Sequence, residues 1–547
     1  MRDRPGILAV SLALLTLGVL TIGLPAAGAI FSATQEANLL APLLTEPGLV
    51  SAKGGSESLG LRFFAWTVTL QSIATAVGIG VCAMAMGWPM AWLLRLRGWQ
   101  WLPLIATPLL LPNYLAFGAY NLLRAPGSVL GDWLERSARG ESGWIPVFAG
   151  KVLAFGSLSL WASPLAAIVL AIWLARIESS TLEQFSLDVP RHRAGRSLWE
   201  RTRLAAPGIC AGIALVAMLM LGSAVPLHVA RLETLTIRVW LAMDLLPQDR
   251  QWRAWIVAWP MLGLALVGAW MVLWMAAKER PEKALRTPLG RDSMRGTGLL
   301  GSALVFAGCA LVPFYLFASH LASAGGLLGF LRVYRHQIVT SAEISAAAGI
   351  GAGLMMLSAW IGMLSGGWSR RMIKASVFLF AFGAMAPGVM IGVWLGALIR
   401  RAWPAIEDSS LVLVIAHLAR FGIVPIVLGC WLAMGEAREQ ADQRRLDGAT
   451  GLSGVLRTAI AGNWPALGAG AIAVAILSFH EIECSIVLQP PGVDTFARAI
   501  LNQLHFARTQ ELSAAGILLL SIGLVLGGSM LWWLGRWAMP ERTVRRP

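Results

Sequence analysis

The sequence predicts an all-α polytopic membrane protein with about 12 transmembrane helices, arranged as two parallel-duplicated six-helix halves. Three observations predict it. Of 547 residues, 57% are apolar and only 13% are charged, whereas a soluble domain carries about 25% charged residues to keep its surface in water. The apolar residues gather into runs long enough to cross a bilayer. Several segments recur in the same order on either side of a polar midpoint.

A helix needs about 20 apolar residues to span the hydrocarbon core. In lipid the backbone must satisfy its own hydrogen bonds, so each such run is expected to be a helix. Twelve runs qualify. The first six are Ile7–Ala29, Trp66–Leu94, Trp101–Leu123, Val152–Leu174, Ile209–Val229 and Trp255–Ala277. The others are Leu299–Ala318, Ile344–Met363, Ala375–Ile399, Leu411–Met434, Ala466–Val487 and Ala514–Leu534. The first run is longer than the apolar stretch of a cleaved secretory signal, about 7–15 residues, and reads as a retained span.

Orientation follows the basic residues. With the N-terminus in the cytoplasm, the larger share of the 44 Lys and Arg falls on the cytoplasmic side. That side then holds Arg95 and Arg97, the cluster Arg191–Arg203, the linker Lys278–Arg295, Arg370–Lys374 and the tail Arg542–Arg546. Both termini are expected in the cytoplasm of a multi-pass protein of the bacterial inner membrane. Tryptophans at span ends, such as Trp99, Trp101, Trp532 and Trp533, read as interfacial anchors. Lys151 is expected to snorkel to the interface at the start of the fourth span.

The linker region 278–298 separates a first transmembrane half, 1–277, from a second, 299–547. Trp66-Thr-Val-Thr-Leu-Gln-Ser-Ile-Ala-Thr-Ala-Val-Gly-Ile-Gly80 opens span two, and Ile338-Val-Thr-Ser-Ala-Glu-Ile-Ser-Ala-Ala-Ala-Gly-Ile-Gly351 opens span eight. Span three carries Pro112 and span nine carries Pro387, each expected in mid-helix. Leu232-Glu-Thr-Leu-Thr-Ile-Arg-Val-Trp240 follows span five, and Val493-Asp-Thr-Phe-Ala-Arg-Ala-Ile-Leu501 follows span eleven. A shared order of recurrence points to a duplicated unit, with a solute path expected on the pseudo-two-fold axis. Small residues such as Ala466-Leu-Gly-Ala-Gly470 let membrane helices approach closely.

Two cytoplasmic loops, after spans four and ten, are longer and more charged than their neighbours. The first reads Glu183-Gln-Phe-Ser-Leu-Asp-Val-Pro-Arg-His-Arg-Ala-Gly195, followed by Leu204-Ala-Ala-Pro207. The second reads Glu439-Gln-Ala-Asp-Gln-Arg-Arg-Leu-Asp-Gly-Ala-Thr450. Their pattern resembles the coupling loop of ABC importer permeases, Glu-Ala-Ala-x-x-x-Gly followed further on by Ile-x-Leu-Pro. In the second loop Gly448 takes the glycine position between Asp447 and Ala449, and Asp442 stands where the acid would be. The downstream proline position is Ala461. In the first, Asp188 stands at the acidic position, Ala194 replaces the glycine beside Gly195, and Pro207 fits the proline. A helical turn ended by a glycine that tolerates the left-handed region makes a rigid knob, and an acid within it can pair with a basic residue of a partner.

The resemblance covers nearly the whole chain. The fused double form, with the stretch Leu488-Gln-Pro-Pro-Gly-Val-Asp-Thr-Phe496 continuing to Asn502 and His505, looks like the ferric-iron and thiamine branch of these permeases. It implies a permease driven by separate ABC ATPase subunits, two copies, and fed by a periplasmic solute-binding protein. The cargo implied is ferric iron, with thiamine or another small solute as the alternative. No covalent chemistry and no cofactor are expected of this chain. Leu364-Ser-Gly-Gly-Trp368 nearly spells an ATPase signature, but it ends a span and no phosphate-cradling Gly-x-x-x-x-Gly-Lys-Ser/Thr occurs.

Other classes fit less well. Twelve spans also suit an ion-gradient-driven secondary transporter, but the loop after span two, Arg95-Leu-Arg-Gly98, lacks the Gly-x-x-x-Asp-Arg/Lys of the major facilitator class. A membrane-embedded enzyme would want clustered acids or histidines at a membrane face, and the loop Phe31–Arg62 offers none. The net charge of +15 is spread over short loops, which speaks against a nucleic-acid partner. Cys82, Cys210, Cys309, Cys430 and Cys484 lie in apolar runs without metal-ligand spacing.

Ionisable residues inside spans cost about 2.5–3.5 kcal/mol each to insert and are expected to be paired or to face a wet cavity. Arg420, inside span ten, is expected to pair with a helix carbonyl or an acid. His480, Glu481 and Glu483, near the end of span eleven, are candidates with Arg420 for the transport path, with no metal site expected. Two residues apart on one helix, Glu481 and Glu483 are expected on different faces.

Overall fold

The computed structural model describes residues 5–28, 66–98, 101–139, 144–175, 177, 194–230, 232–245, 254–277, 295–321, 324–435, 442–443, 446–448, 451–505 and 508–538. Among the described residues every regular element is a helix and there is no strand. The linker predicted at 278–298 lies almost wholly outside them.

In chain order the first half contains α1 (Pro5–Gly28), α2 (Trp66–Arg97), α3 (Leu102–Ala106), α4 (Asn113–Asn121), α5 (Val129–Ala138), α6 (Ile145–Leu174), α7 (Ala194–Gly222), α8 (Val225–Val229), α9 (Leu235–Leu245) and α10 (Ala254–Ala277). The second contains α11 (Gly298–His320), α12 (Ala324–Val333), α13 (Arg335–Ser365), α14 (Gly367–Met385), α15 (Gly388–Ala402), α16 (Leu411–Phe421), α17 (Ile423–Met434), α18 (Leu452–Phe479), α19 (Glu483–Leu488), α20 (Phe496–His505) and α21 (Thr509–Ala538).

Eight of these helices are long and apolar enough to cross a membrane: α1, α2, α6, α7, α10, α11, α13 and α21. The count rises to 10 if two bent pairs each make one span: α14 with α15, bent by 115°, and α16 with α17, bent by 51°. The two remaining predicted spans break as well. Trp101–Leu123 divides at Pro112 into α3, a 3-10 turn over Thr107–Leu110, and α4. Ala466–Val487 divides between α18 and α19.

Both prolines expected in mid-helix instead end one helix and open another. Pro112 (φ −57°, ψ 135°) and Pro387 (φ −54°, ψ 131°) hold nearly the same extended conformation. The next helix starts off each in the same way, with Leu115 N–H donating to the Pro112 carbonyl and Met390 N–H to that of Pro387, both at 3.0 Å. Proline lacks the N–H that would continue the preceding helix and fixes φ, so a change of direction is available at low cost. Leu364-Ser-Gly-Gly-Trp368 is likewise a joint. Gly366 (φ +77°) and Gly367 (φ +55°) turn the chain from α13 into α14, a conformation with little steric cost only for glycine.

A second device also recurs. Ser72 of α2 accepts the Leu235 N–H at the start of α9 at 2.8 Å, and Ser341 of α13 accepts the Phe496 N–H at the start of α20 at 2.8 Å. Each serine sits in one of the repeated segments, and each N–H is a first-turn donor with no partner inside its own helix.

The chain divides into two compact units that interleave the sequence halves. One comprises Met1–Ile73, Leu221–Glu279 and Leu331–Phe506. In it α13 packs along α17 and α18, α15 against α19, and α14 against both α1 and α10. Ile7, Ile361 and Val455 tie α1, α13 and α18 into one buried cluster. A Cβ on Gly349 would lie 2.9 Å from the Ala471 carbonyl, so α13 and α18 meet backbone to backbone.

The other unit comprises Ala74–Met220, Arg280–Phe330 and Ala507–Pro547. There α4 and α5 pack on α6, and α21 packs on α3 and on α11. Tyr120 donates its hydroxyl to the Gly308 carbonyl at 2.7 Å, and Trp161 Nε1 donates at 2.7 Å to the Leu111 carbonyl just before Pro112. Thus α1 and α10 of the first half join central helices of the second, while α11 and α21 join those of the first.

Candidate functional site

The predicted ionisable residues meet in the unit built on α13–α20. Helix α16 presents His417 and Arg420 one turn apart on the same face. Opposite them α18 ends at Phe479, and the backbone leaves helical values at His480 (φ −115°, ψ 17°) before α19 starts at Glu483. The expectation that Glu481 and Glu483 face apart assumed a continuous helix. The break removes that constraint, and both carboxylates converge on Arg420.

The pairing is directional. Arg420 Nη2 donates to Glu483 Oε2 at 2.7 Å, and Arg420 Nε lies 3.4 Å from Glu481 Oε2. Glu481 Oε1 accepts the Cys484 N–H at 3.0 Å, capping the first turn of α19. Glu483 Oε1 accepts the Ala224 N–H at 2.7 Å, with Ser223 Oγ at 3.4 Å. Every oxygen of the two acids therefore has a protein partner. Ser223 and Ala224 form the break between α7 and α8, so one helix break is fastened to the other through Glu483.

Burial sets the energetic stakes. Side-chain exposure is 13% for Arg420, 7% for Glu481 and 6% for Glu483. Removing one member of such a pair leaves an uncompensated charge and costs about 3–5 kcal/mol. Gly388, first residue of α15, makes the approach possible. A Cβ there would stand 2.2 Å from Arg420 Nη1 and 2.7 Å from Glu483 Cβ. Cys484 Sγ donates to the Gly388 carbonyl at 3.2 Å, tying α19 to α15 from the other side.

His417, 2% exposed, spans the same break. Its Nδ1 lies 2.6 Å from Ser478 Oγ and its Nε2 lies 3.1 Å from Ser485 Oγ. Ser485 Oγ gives its one hydrogen to the Glu481 carbonyl at 2.9 Å, so toward His417 it accepts. That places the neutral-ring hydrogen on Nε2 and leaves Nδ1 to accept from Ser478. The imidazole thus bridges the end of α18 and the start of α19. His417, Gly388, Ser223, Ser478 and Ser485 were not among the residues singled out from sequence. A histidine three residues before an intramembrane arginine was the available signal for His417.

His480 stands half-buried in the break itself. Among the described residues no group of three or more His, Cys, Asp or Glu is placed to hold a metal ion.

Of the coupling-loop candidates, Glu183, Asp188, Glu439 and Ala449 lie outside the described residues. Ala194 and Gly195 open α7, whose helix runs through an exposed Pro207. Asp442, Asp447 and Gly448 are exposed. Asp447 N–H donates to the Gln443 carbonyl at 2.9 Å, closing one helical turn, and Gly448 follows at φ +68°. Among the described residues of the second loop, a helical hydrogen bond is thus followed by a left-handed glycine.

Compared with known proteins, the chain matches no family model, and no curated protein or solved structure matches it significantly.

Proposed function

We propose that the chain is the transmembrane permease subunit of an ATP-driven ABC importer, forming the solute pathway and coupling through two cytoplasmic loops to separate ATPase subunits. The observation that carries this reading is the exposed helical closure from Asp447 N–H to the Gln443 carbonyl, followed by left-handed Gly448. It has the charge and left-handed glycine end that a docking knob requires, and it stands where the sequence resembles the coupling loop. The recurring joints at Pro112 and Pro387, and the recurring bonds from Leu235 to Ser72 and from Phe496 to Ser341, support a duplicated unit. A duplicated unit is a common architecture of transporters that alternate access.

In this reading the chain binds two ATPase copies in the cytoplasm of a bacterial cell and receives cargo from a periplasmic binding protein. Ferric iron is the cargo to which the branch resemblance points, with thiamine or another small solute as the alternative. The Arg420 cluster fixes the broken helices that flank the path.

Site-specific photocrosslinking tests the docking assignment. A benzophenone side chain placed at Asp442 in cells is expected to give a covalent adduct with an ATP-binding polypeptide. Irradiation that yields no protein adduct from Asp442 or from Asp447 would refute it.

A further inference from the structure

Helix α5 carries an apolar face wider than the protein covers. It packs on α6 and on the turn over Leu122–Arg124, with Leu134 buried and Leu130 half-buried. Beside them Val129 and Trp133, one turn apart on the same face, stay 90% and 47% exposed. The remaining surface is charged and satisfied from within. Asp132 Oδ1 accepts the Gly127 N–H at 2.9 Å, Arg136 Nε donates to the Asp132 carbonyl at 3.2 Å, and Arg139 pairs with Glu135. These two acids and two arginines sum to zero charge, so the charged side calls for no ionic partner.

The start of α5 is fixed beside the first turns of α6. Ser128 caps α5 by accepting the Gly131 N–H at 2.9 Å. Just upstream, Arg124 Nη2 donates to the Pro146 carbonyl at 3.0 Å, and a Cβ on Gly150 would lie 2.6 Å from Arg124 Nη1. Those first turns of α6 are bare as well. Trp144, Val147, Phe148 and Val152 are exposed at helical spacing, with the Trp144 and Phe148 rings edge to face at 5.9 Å. Lys151 is exposed in the same stripe.

Depth identifies what covers these surfaces. Helix α6 has 30 residues, about 45 Å at ~1.5 Å per residue, against a hydrocarbon core of about 30 Å. Val152–Leu174 carries no charge and is itself long enough to cross, so the excess falls on the turns holding Trp144 and Lys151. Tryptophan and a snorkelling lysine on an otherwise apolar stripe are the composition of the headgroup level. Val129 and Trp133 stand on a helix tied to those same turns, and their stripe meets one that continues into a membrane span.

We propose that α5, with the first turns of α6, is an interfacial anchor that docks into the headgroup–acyl boundary of a phospholipid bilayer. Val129, Trp133, Trp144 and Phe148 enter the boundary, and the self-paired charges of α5 remain in water, as in other amphipathic helices of the interface. The anchor holds the outer end of α4, which leads into α5, at a fixed depth. Docking here needs no ATP-hydrolysing partner, so its outcome is separate from that of the crosslinking at Asp442.

Benzophenone side chains placed singly at Trp133, Glu135 and Val152 of the full chain, irradiated in native membranes and followed by peptide mass spectrometry, test the anchor. Phospholipid adducts are expected at Trp133, as at Val152 in the span, and are expected to be lost at Glu135. In phosphatidylcholine nanodiscs, Trp133→Glu is expected to raise amide exchange across Val129–Ala138 by about tenfold or more, the factor that an aromatic side chain withdrawn from an apolar surrounding carries. Trp133→Leu is expected to leave it near wild type. A Trp133 that merely faces water predicts no change in either variant, and unchanged exchange in Trp133→Glu would overturn the proposal. So would a polypeptide adduct at Trp133 in place of lipid, lipid adducts at Val152 alone, or equal lipid yields at Trp133 and Glu135.

Discussion

Arg420→Leu is the perturbation that bears most sharply on the buried cluster. The substitution keeps an apolar stem in α16 and removes the guanidinium that meets Glu483 at 2.7 Å and Glu481 at 3.4 Å. Hydrogen bonds to charged groups contribute about 1.5–3 kcal/mol each. Two lost contacts therefore sum to about 3–6 kcal/mol, in line with the ~3–5 kcal/mol typical when one partner of a buried pair is deleted. The penalty belongs to the stranded acids, not to the missing arginine. It should largely vanish in the triple variant Arg420→Leu, Glu481→Gln, Glu483→Gln, whose amides still offer an oxygen to the Cys484 and Ala224 N–H groups. Reversible unfolding of the purified chain in mixed detergent, followed by circular dichroism, measures both. Arg420→Leu is expected to lose about 3–5 kcal/mol and the triple variant to recover more than half of it. If Arg420→Leu falls within about 1 kcal/mol of wild type, as an exposed pair would, the reasoning fails. It also fails if the triple variant is no more stable than the single one.

Three further outcomes follow from the same geometry. Gly388→Ala places a Cβ 2.2 Å from Arg420 Nη1 and is expected to cost about 1–3 kcal/mol as the guanidinium is pushed off its acids; the same unfolding assay reads it, and a neutral result would contradict the close approach. Ser72→Ala and Ser341→Ala each strand a buried N–H, of Leu235 and Phe496, and each is expected to cost about 1–3 kcal/mol; a cost at one serine and none at the other would contradict their equivalence. Ser485→Ala removes the acceptor of His417 Nε2 and the donor to the Glu481 carbonyl; amide exchange measured by mass spectrometry is expected to rise across 478–488 while α13 stays protected.

The helical class was legible in the sequence because composition and run length alone demand it. The positions of breaks were half legible. Pro112 and Pro387 marked them, but proline removes one hydrogen bond and leaves the angle open. The 115° bend between α14 and α15 depends on neighbours. Those include the Gly388 surface that admits Arg420 and the Cys484 bond to the Gly388 carbonyl. The break at His480–Ile482 carries no proline or glycine, so nothing local announced it, and the reading of Glu481 and Glu483 as divergent followed from assuming helix throughout. That Arg420 would be paired was legible from the cost of an unpaired charge in lipid. Which acids it would meet was not, since they lie some 60 residues away in sequence, as the Arg420–Glu483 separation of 63 shows. Nor does hydrophobic periodicity name a helix's partner, which is why the pairing of α1 and α10 with second-half helices emerges only in three dimensions. Gly448 is the counterexample. Its left-handed φ of +68° was readable from its place after a short charged run, because the chemistry of a helix end is local.

The central claim, that an external nucleotide-driven motor works this chain, is most directly tested by affinity purification from native membranes followed by ATP-hydrolysis assay in lipid. The account predicts a stoichiometric nucleotide-hydrolysing subunit that co-purifies with the wild-type chain and is lost with Gly448→Pro, whose ring cannot take the positive φ of that position. A chain that purifies without such a subunit, and that carries out solute uptake in vesicles on an ion gradient alone, would contradict it.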